Sequence, residues 1–137
     1  MTTCKGIQIA RHLDAGYKPV IDYGAWRVAV LNGSANERIG SLQKHDETDE
    51  VFVLLHGDCT LVLCEDEGEP EHLYAVRMLP DTVYNIKKGI WHNHVLTPGT
   101  SVLIVENVDT SLSNSPIHRL AAAVDVQTLP TPLAEDA

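Results

Sequence analysis

Apolar residues fall in short runs along this chain, many of them alternating with polar positions and separated by Gly, Pro, Asn and Asp. Runs of that length with a period near two are read as strands. Residues 25–31 form the first, ended by the turn-rich Asn32-Gly33-Ser34-Ala35-Asn36. Residues 38–45 form a second, less apolar one. Residues 50–56 are rich in β-branched and aromatic side chains, and Gly57-Asp58 supplies a hairpin turn into 59–65. The acidic connection 66–71 reads as a solvated loop, after which 72–78, 82–86, 91–97 and 101–108 continue the series. Short strands at this spacing predict an all-β sandwich or barrel, and closure into a jelly roll would hide the strand edges.

After Asn107 the pattern changes. Ser115 and Pro116 suit the N-cap and first position of a helix, and Ile117, Leu120, Ala121 and Val124 follow helical spacing. A short C-terminal helix packed on the outside of the barrel is therefore expected, with a lid or a dimer contact as alternatives. Pro130-Thr131-Pro132 and the acidic end read as a loose tail. The expected division is an N-terminal segment 1–24, a barrel 25–110, and a C-terminal helix and tail 111–137.

At 137 residues the chain suits one domain with a substantial core. Its 19 acidic against 10 basic residues give a net charge of −9, which disfavours nucleic acid as a partner. Neither a secretory signal nor a membrane span is recognisable, so a cytoplasmic location is expected. The odd set Cys4, Cys59 and Cys64 reads as reduced thiols. Nucleophile elbows, Cys–His pairs at recognisable spacing and Gly-rich phosphate loops are absent.

Chemistry concentrates in two segments. One runs from Gly40 through Gln43, His45 and Glu50 to Gly57; the other is Lys87-Lys88-Gly89-Ile90-Trp91-His92-Asn93-His94. They resemble the two motifs of the cupin family, G-x5-H-x-H-x3,4-E-x6-G and G-x5-P-x-G-x2-H-x3-N. His45, Glu50, Gly57, Gly89 and His92 stand in place. Gln43 takes the position of the first histidine, Lys87 that of proline and Leu96 that of asparagine. The resemblance implies a single cupin jelly-roll barrel and assigns metal-ligand roles to Gln43, His45, Glu50 and His92.

The residues themselves support such a centre. Gln43 and His45 share a strand face, Glu50 opens the next strand, and His92 enters from another. Two imidazoles and a carboxylate with open positions suit Fe, Mn, Ni, Co or Zn as a divalent ion. An amide oxygen is a poorer ligand than imidazole, so Gln43 is expected to weaken the site, or else to donate its NH₂ to a substrate. His94 shares a face with His92 and has three readings: a replacement ligand, a support for the ligands, or a general acid/base. Glu50 is the other candidate for moving a proton. Phe52, Leu54 and Tyr84 are candidates for the substrate pocket, whereas Trp91 points the other way and reads as sheet packing or a subunit contact. His12, His56, His72 and His118 read as surface or structural residues.

A metal-dependent enzyme of lyase, isomerase or dioxygenase type, acting on a small polar metabolite, is the leading expectation. Ile90-Trp91-His92 after glycine resembles ureidoglycolate lyase-like cupins over those few residues. The alternative is a non-catalytic binding or sensor cupin. In either case a small-molecule ligand and a homodimer are expected, with neither membrane nor nucleic acid as partner.

Overall fold

The computed structural model describes residues 5–35 and 38–132. Cys4, Asn36 and the acidic end of the tail lie outside the described residues. Ten strands are described: β1 (Gly16–Tyr23), β2 (Trp26–Asn32), β3 (Arg38–Gln43), β4 (Glu50–His56), β5 (Cys59–Cys64), β6 (Tyr74–Arg77), β7 (Val83–Ile86), β8 (Trp91–Leu96), β9 (Ser101–Asn107) and β10 (Ile117–Asp125). They make two five-stranded sheets in the orders β1-β2-β9-β4-β7 and β10-β3-β8-β5-β6. Every strand pairing within them is antiparallel. The architecture is all-β, with two sheets facing one another as in a jelly roll.

Alternation along the strands fills the space between the sheets. Ala29 and Leu31 of β2, Phe52 and Leu54 of β4, Val102 and Ile104 of β9 and Ile86 of β7 come from one sheet; Cys59, Leu61 and Leu96 meet them from the other. These ten are almost wholly buried. A second core lies on the outer side of the second sheet, where Ile39, Leu42, Val62, Cys64 and Val126 are buried, with Trp91, Leu120, Val124 and Leu129 packed on them. The end of the chain makes this cover: the Pro130 carbonyl accepts the Ala75 N–H of β6.

Turn chemistry fixes the strand ends. Gly57, at φ +92°, carries the tight turn between β4 and β5. A Cβ there would come within 2.5 Å of the Thr100 Cα, so the close approach also requires glycine. Thr100 Oγ1 accepts the Asp58 N–H at 2.8 Å and holds the turn to the start of β9.

Two features depart from expectation. The segment expected to form a C-terminal helix is β10, which pairs with β3 through Ile117↔Gln43, His118↔Leu42 and Arg119↔Ser41; only a single 3-10 turn, Val126–Thr128, follows it. Of the four apolar residues at helical spacing, Leu120 and Val124 pack on the outer core and Ile117 is exposed; residues four apart share a face of a strand as they do of a helix, so that pair did not discriminate. Residues 16–23, within the N-terminal segment, form β1 at the edge of the first sheet. Cys59 and Cys64 are buried free thiols. No helix among the described residues is long and apolar enough to cross a membrane.

Candidate metal centre

Three ligand-bearing side chains meet between the sheets. Glu50 opens β4, His92 lies on β8 next to Gln43 of β3 (Gln43↔His92), and His45 follows β3 in the connection to β4. All three are buried, and their ligand atoms lie within 4.8 Å of one another. Both His45 Nε2 and His92 Nε2 are directed at the same oxygen, Glu50 Oε1, at 3.1 Å and 3.0 Å.

The opposite ring nitrogens decide what that contact means. His92 Nδ1 lies 3.0 Å from the Ile90 carbonyl, which can only accept, so Nδ1 carries the proton. His45 Nδ1 lies 2.7 Å from Ser115 Oγ, whose own proton is donated to Asn114 Oδ1 at 3.1 Å; here too Nδ1 is the donor. In neutral rings both Nε2 lone pairs therefore face a carboxylate oxygen. A buried arrangement of that kind is repulsive unless a positive charge is shared among the three groups. A divalent ion supplies one; an imidazolium proton supplies another. The donor set of two imidazoles and a carboxylate thus fits a divalent transition metal.

Electrostatics extend the cluster to a second carboxylate. Glu106 of β9 is buried and bonded to Tyr17 Oη and to Arg27 Nη2, the latter at 2.6 Å. Burial pushes the Glu106 carboxyl above its usual range, and its hydrogen bond to Glu50 adds to the effect. Burial acts on Glu50 in the same sense, but the contacts with His45 and His92, which donate to it when their rings are protonated, and the hydrogen bond with Glu106 outweigh it and hold Glu50 well below the usual range. Burial would lower His45, yet its bond to Glu50 raises it. His94 has no such carboxylate bond, and burial brings its imidazole down to about 4.

These groups line a cavity of about 450 Å³ that also takes in Gln43 and His94, with Ile104 as an apolar wall and Ser41 and Ser111 adding hydroxyls. Gln43 reaches it with its amide nitrogen engaged by the Ser115 carbonyl at 3.2 Å. The three pocket candidates lie elsewhere. Phe52 and Leu54 are core residues, with the Phe52 ring centroid 6.0 Å from that of His94. Tyr84 lines a separate cavity of about 390 Å³ between the β6 and β7 edges, and its hydroxyl accepts the Leu79 N–H. Trp91 faces the outer core, beneath Lys44 Nζ at 4.8 Å and beside His118.

Four residues of the cluster escaped the sequence reading: Tyr17, Arg27, Glu106 and Ser115. A signal existed for two of them. Arg27 and Glu106 are charges set into otherwise apolar strands, and β2 and β9 pair them directly. Ser115 offered none, because its N-cap position was read as the start of a helix.

No protein-family model and no curated protein sequence matches the chain. Solved structures do. A cupin-2 domain containing protein from Shewanella frigidimarina NCIMB 400 aligns at a TM-score of 0.50 and 18% identity, covering 71% of this chain and 84% of that one.

The chain has the cupin fold.

KdgF from Halomonas sp. aligns with this cupin barrel at a TM-score of 0.52 and 17% identity, over 75% of this chain and 90% of KdgF. The WlaRB TDP-quinovose 3,4-ketoisomerase from Campylobacter jejuni aligns at 0.53 and 18%, over 65% of this chain and 67% of the isomerase.

Proposed function

We propose that this cupin is a metal-dependent enzyme performing acid–base chemistry on a small polar metabolite, of lyase or isomerase type. The observation that carries the reading is the pair of imidazole Nε2 atoms directed at one Glu50 oxygen while both Nδ1 protons are used elsewhere. His45, Glu50 and His92 would hold the ion, with the Gln43 amide oxygen as a weaker neighbour, since its nitrogen is bonded to Ser115. When bound, a divalent ion supplies Lewis acidity toward a substrate oxygen. Fe, Mn, Ni and Zn all suit the donor set, and iron would open dioxygenase chemistry.

The other residues supply the proton handling. His94 lines the same cavity, and burial lowers its imidazole to about 4, so near pH 7 it is neutral and would take a proton only as a weak base. Glu106 is locked by Arg27 and Tyr17 and fixes Glu50 in place. The hydroxyls of Ser41 and Ser111 would hydrogen-bond the polar groups of a ligand. A ketoisomerase among the structures of this fold agrees with proton transfer next to a carbonyl. The placement of Gln43 in a histidine position favours the second reading, a binding or sensor cupin without turnover.

Elemental analysis of untagged protein, beside His92→Ala, tests the centre. Near-stoichiometric transition metal that disappears in the variant is the expected result. Equal metal in both would remove the assignment. Metal-loaded protein that binds keto acids or sugars but never exchanges their α-protons with deuterium, while His94→Ala leaves binding intact, would leave the sensor reading.

A further inference from the structure

Polarity is unevenly distributed over the cavity of about 450 Å³ that contains the candidate centre. Its charged side chains, Glu50, Glu106 and Arg27, lie deep and bond to one another or to the histidines. Leu31 of β2 and Ile104 of β9, both buried, form an apolar wall. Toward solvent the lining ends in two more apolar residues. Leu112 stands in the connection from β9 to β10 and Ile117 opens β10; they are 76% and 49% exposed. The register runs Ile117↔Gln43↔His92 across β10, β3 and β8, and residues directly opposite share a face of the sheet. Two strand spacings put Ile117 about 10 Å from His92, so one small ligand can span the two.

We propose that the ligand of this site is a keto acid bearing an aliphatic or aromatic side chain, not a sugar, and that Leu112 and Ile117 select it. The oxygen-bearing head of that ligand rests on the metal reading given above. Two observations choose the body. Single exposed apolar side chains are ordinary, but two at one cavity mouth gain hydrophobic free energy when an apolar ligand covers them. The polar groups beside them are already engaged within the chain. The Thr110 hydroxyl donates to the Asn107 carbonyl at 2.8 Å, the Gln43 amide to the Ser115 carbonyl at 3.2 Å, and the Asn93 amide to the Ser41 carbonyl at 2.8 Å. A sugar would bring several hydroxyls into this mouth and exchange their bonds with water for apolar contact, which disfavours each one. The Ser41 and Ser111 hydroxyls suffice for a single polar head.

Hydroxamates chelate a divalent ion through two oxygens and so separate the head of such a ligand from its body. Titration calorimetry of the Zn(II)-loaded full chain compares them. Hexanohydroxamate should bind about 20–200-fold tighter than acetohydroxamate, from four further methylenes at roughly two- to fourfold each. Gluconohydroxamate, with the same six carbons but hydroxylated, should bind no tighter than acetohydroxamate. Combining Leu112→Ser with Ile117→Ser should shrink the hexanohydroxamate advantage about tenfold. Leu79→Ser, a leucine 62% exposed outside this cavity, should leave it unchanged. Acetohydroxamate that binds with no gain along the chain would overturn the proposal and leave the metal centre standing. So would gluconohydroxamate binding as tightly as hexanohydroxamate, or an undiminished advantage in the double variant. If no hydroxamate binds, the metal reading fails and the proposal with it.

Discussion

Ser115 illustrates how a residue without ligand chemistry shapes a metal centre. Its hydroxyl receives the His45 Nδ1 proton at 2.7 Å and passes its own proton to Asn114, which sets the ring with Nε2 toward Glu50. Partners of this kind, placed behind a ligand, typically contribute about 10–100-fold to metal affinity. Ser115→Ala should therefore weaken binding of Zn(II) or Mn(II) by roughly that factor, and Ser115→Thr should restore most of it. Competition against a chelator of known affinity measures the change. A Ser115→Ala protein with unaltered affinity would mean that the serine is only a packing residue. The residue is 2% exposed, so far-UV and thermal controls belong beside the titration.

Among the elements, the two connections of the β4–β5–β6 series differ in what they ask of the chain. At Gly57 the backbone is left-handed and the Thr100 backbone stands where a Cβ would go. Gly57→Ala should cost about 2 kcal/mol in urea unfolding, from strain at positive φ plus displacement of Thr100. A loss below about 0.5 kcal/mol would mean that the turn relaxes freely. The acidic loop after β5 was expected to be merely solvated, but Asp66 Oδ2 accepts the N–H groups of His72 and Glu71, each at 2.9 Å. Those bonds hold Asp66 below the usual carboxylate range. A depressed carboxylate contributes to the folded loop above its unfolded value of 3.8 and loses that contribution as pH falls through the lower folded one. Asp66→Ala should speed hydrogen exchange at the Glu71 and His72 amides at pH 6; unchanged exchange would show that the loop holds without it. The same scale explains what was legible in the sequence. Eight strands follow from local alternation, which a chain displays directly, and His45, Glu50 and His92 are reached through the resemblance of their two segments to the cupin motifs. β10 did not, because Leu120 and Val124, four apart, share a face in a strand as well as in a helix, and Ser115-Pro116 ahead of them imitates a helix start. Nor did the Arg27–Glu106 pair, which depends on β2 and β9 being neighbours across most of the chain.

For the molecule as a whole, the centre joins the two sheets: Glu50 belongs to the β1-β2-β9-β4-β7 sheet and His92 to the other. An ion bound to both would be lost on unfolding, so its binding free energy adds to stability. At a free concentration a thousand times Kd the increment is about 4 kcal/mol, provided the unfolded chain does not bind. For a domain of this size that corresponds to a rise in Tm on the order of 10 °C or more. The metal-free protein has a different way to offset the two Nε2 lone pairs, because the raised His45 can carry a proton beside ionised Glu50. A group raised in this way stabilises below its unfolded value, here 6.5, and the contribution is lost as pH rises through the folded one. The Tm increment from metal should therefore grow between pH 6 and pH 8, as the competing proton leaves. Scanning calorimetry of chelator-treated and Zn(II)-loaded protein at both pH values measures it, with His92→Ala as the control that should show almost no response. An equal increment in that variant would place the stabilising ion outside His45, Glu50 and His92. An increment that shrinks toward pH 8 would mean that the proton and the ion do not compete for the same two nitrogens.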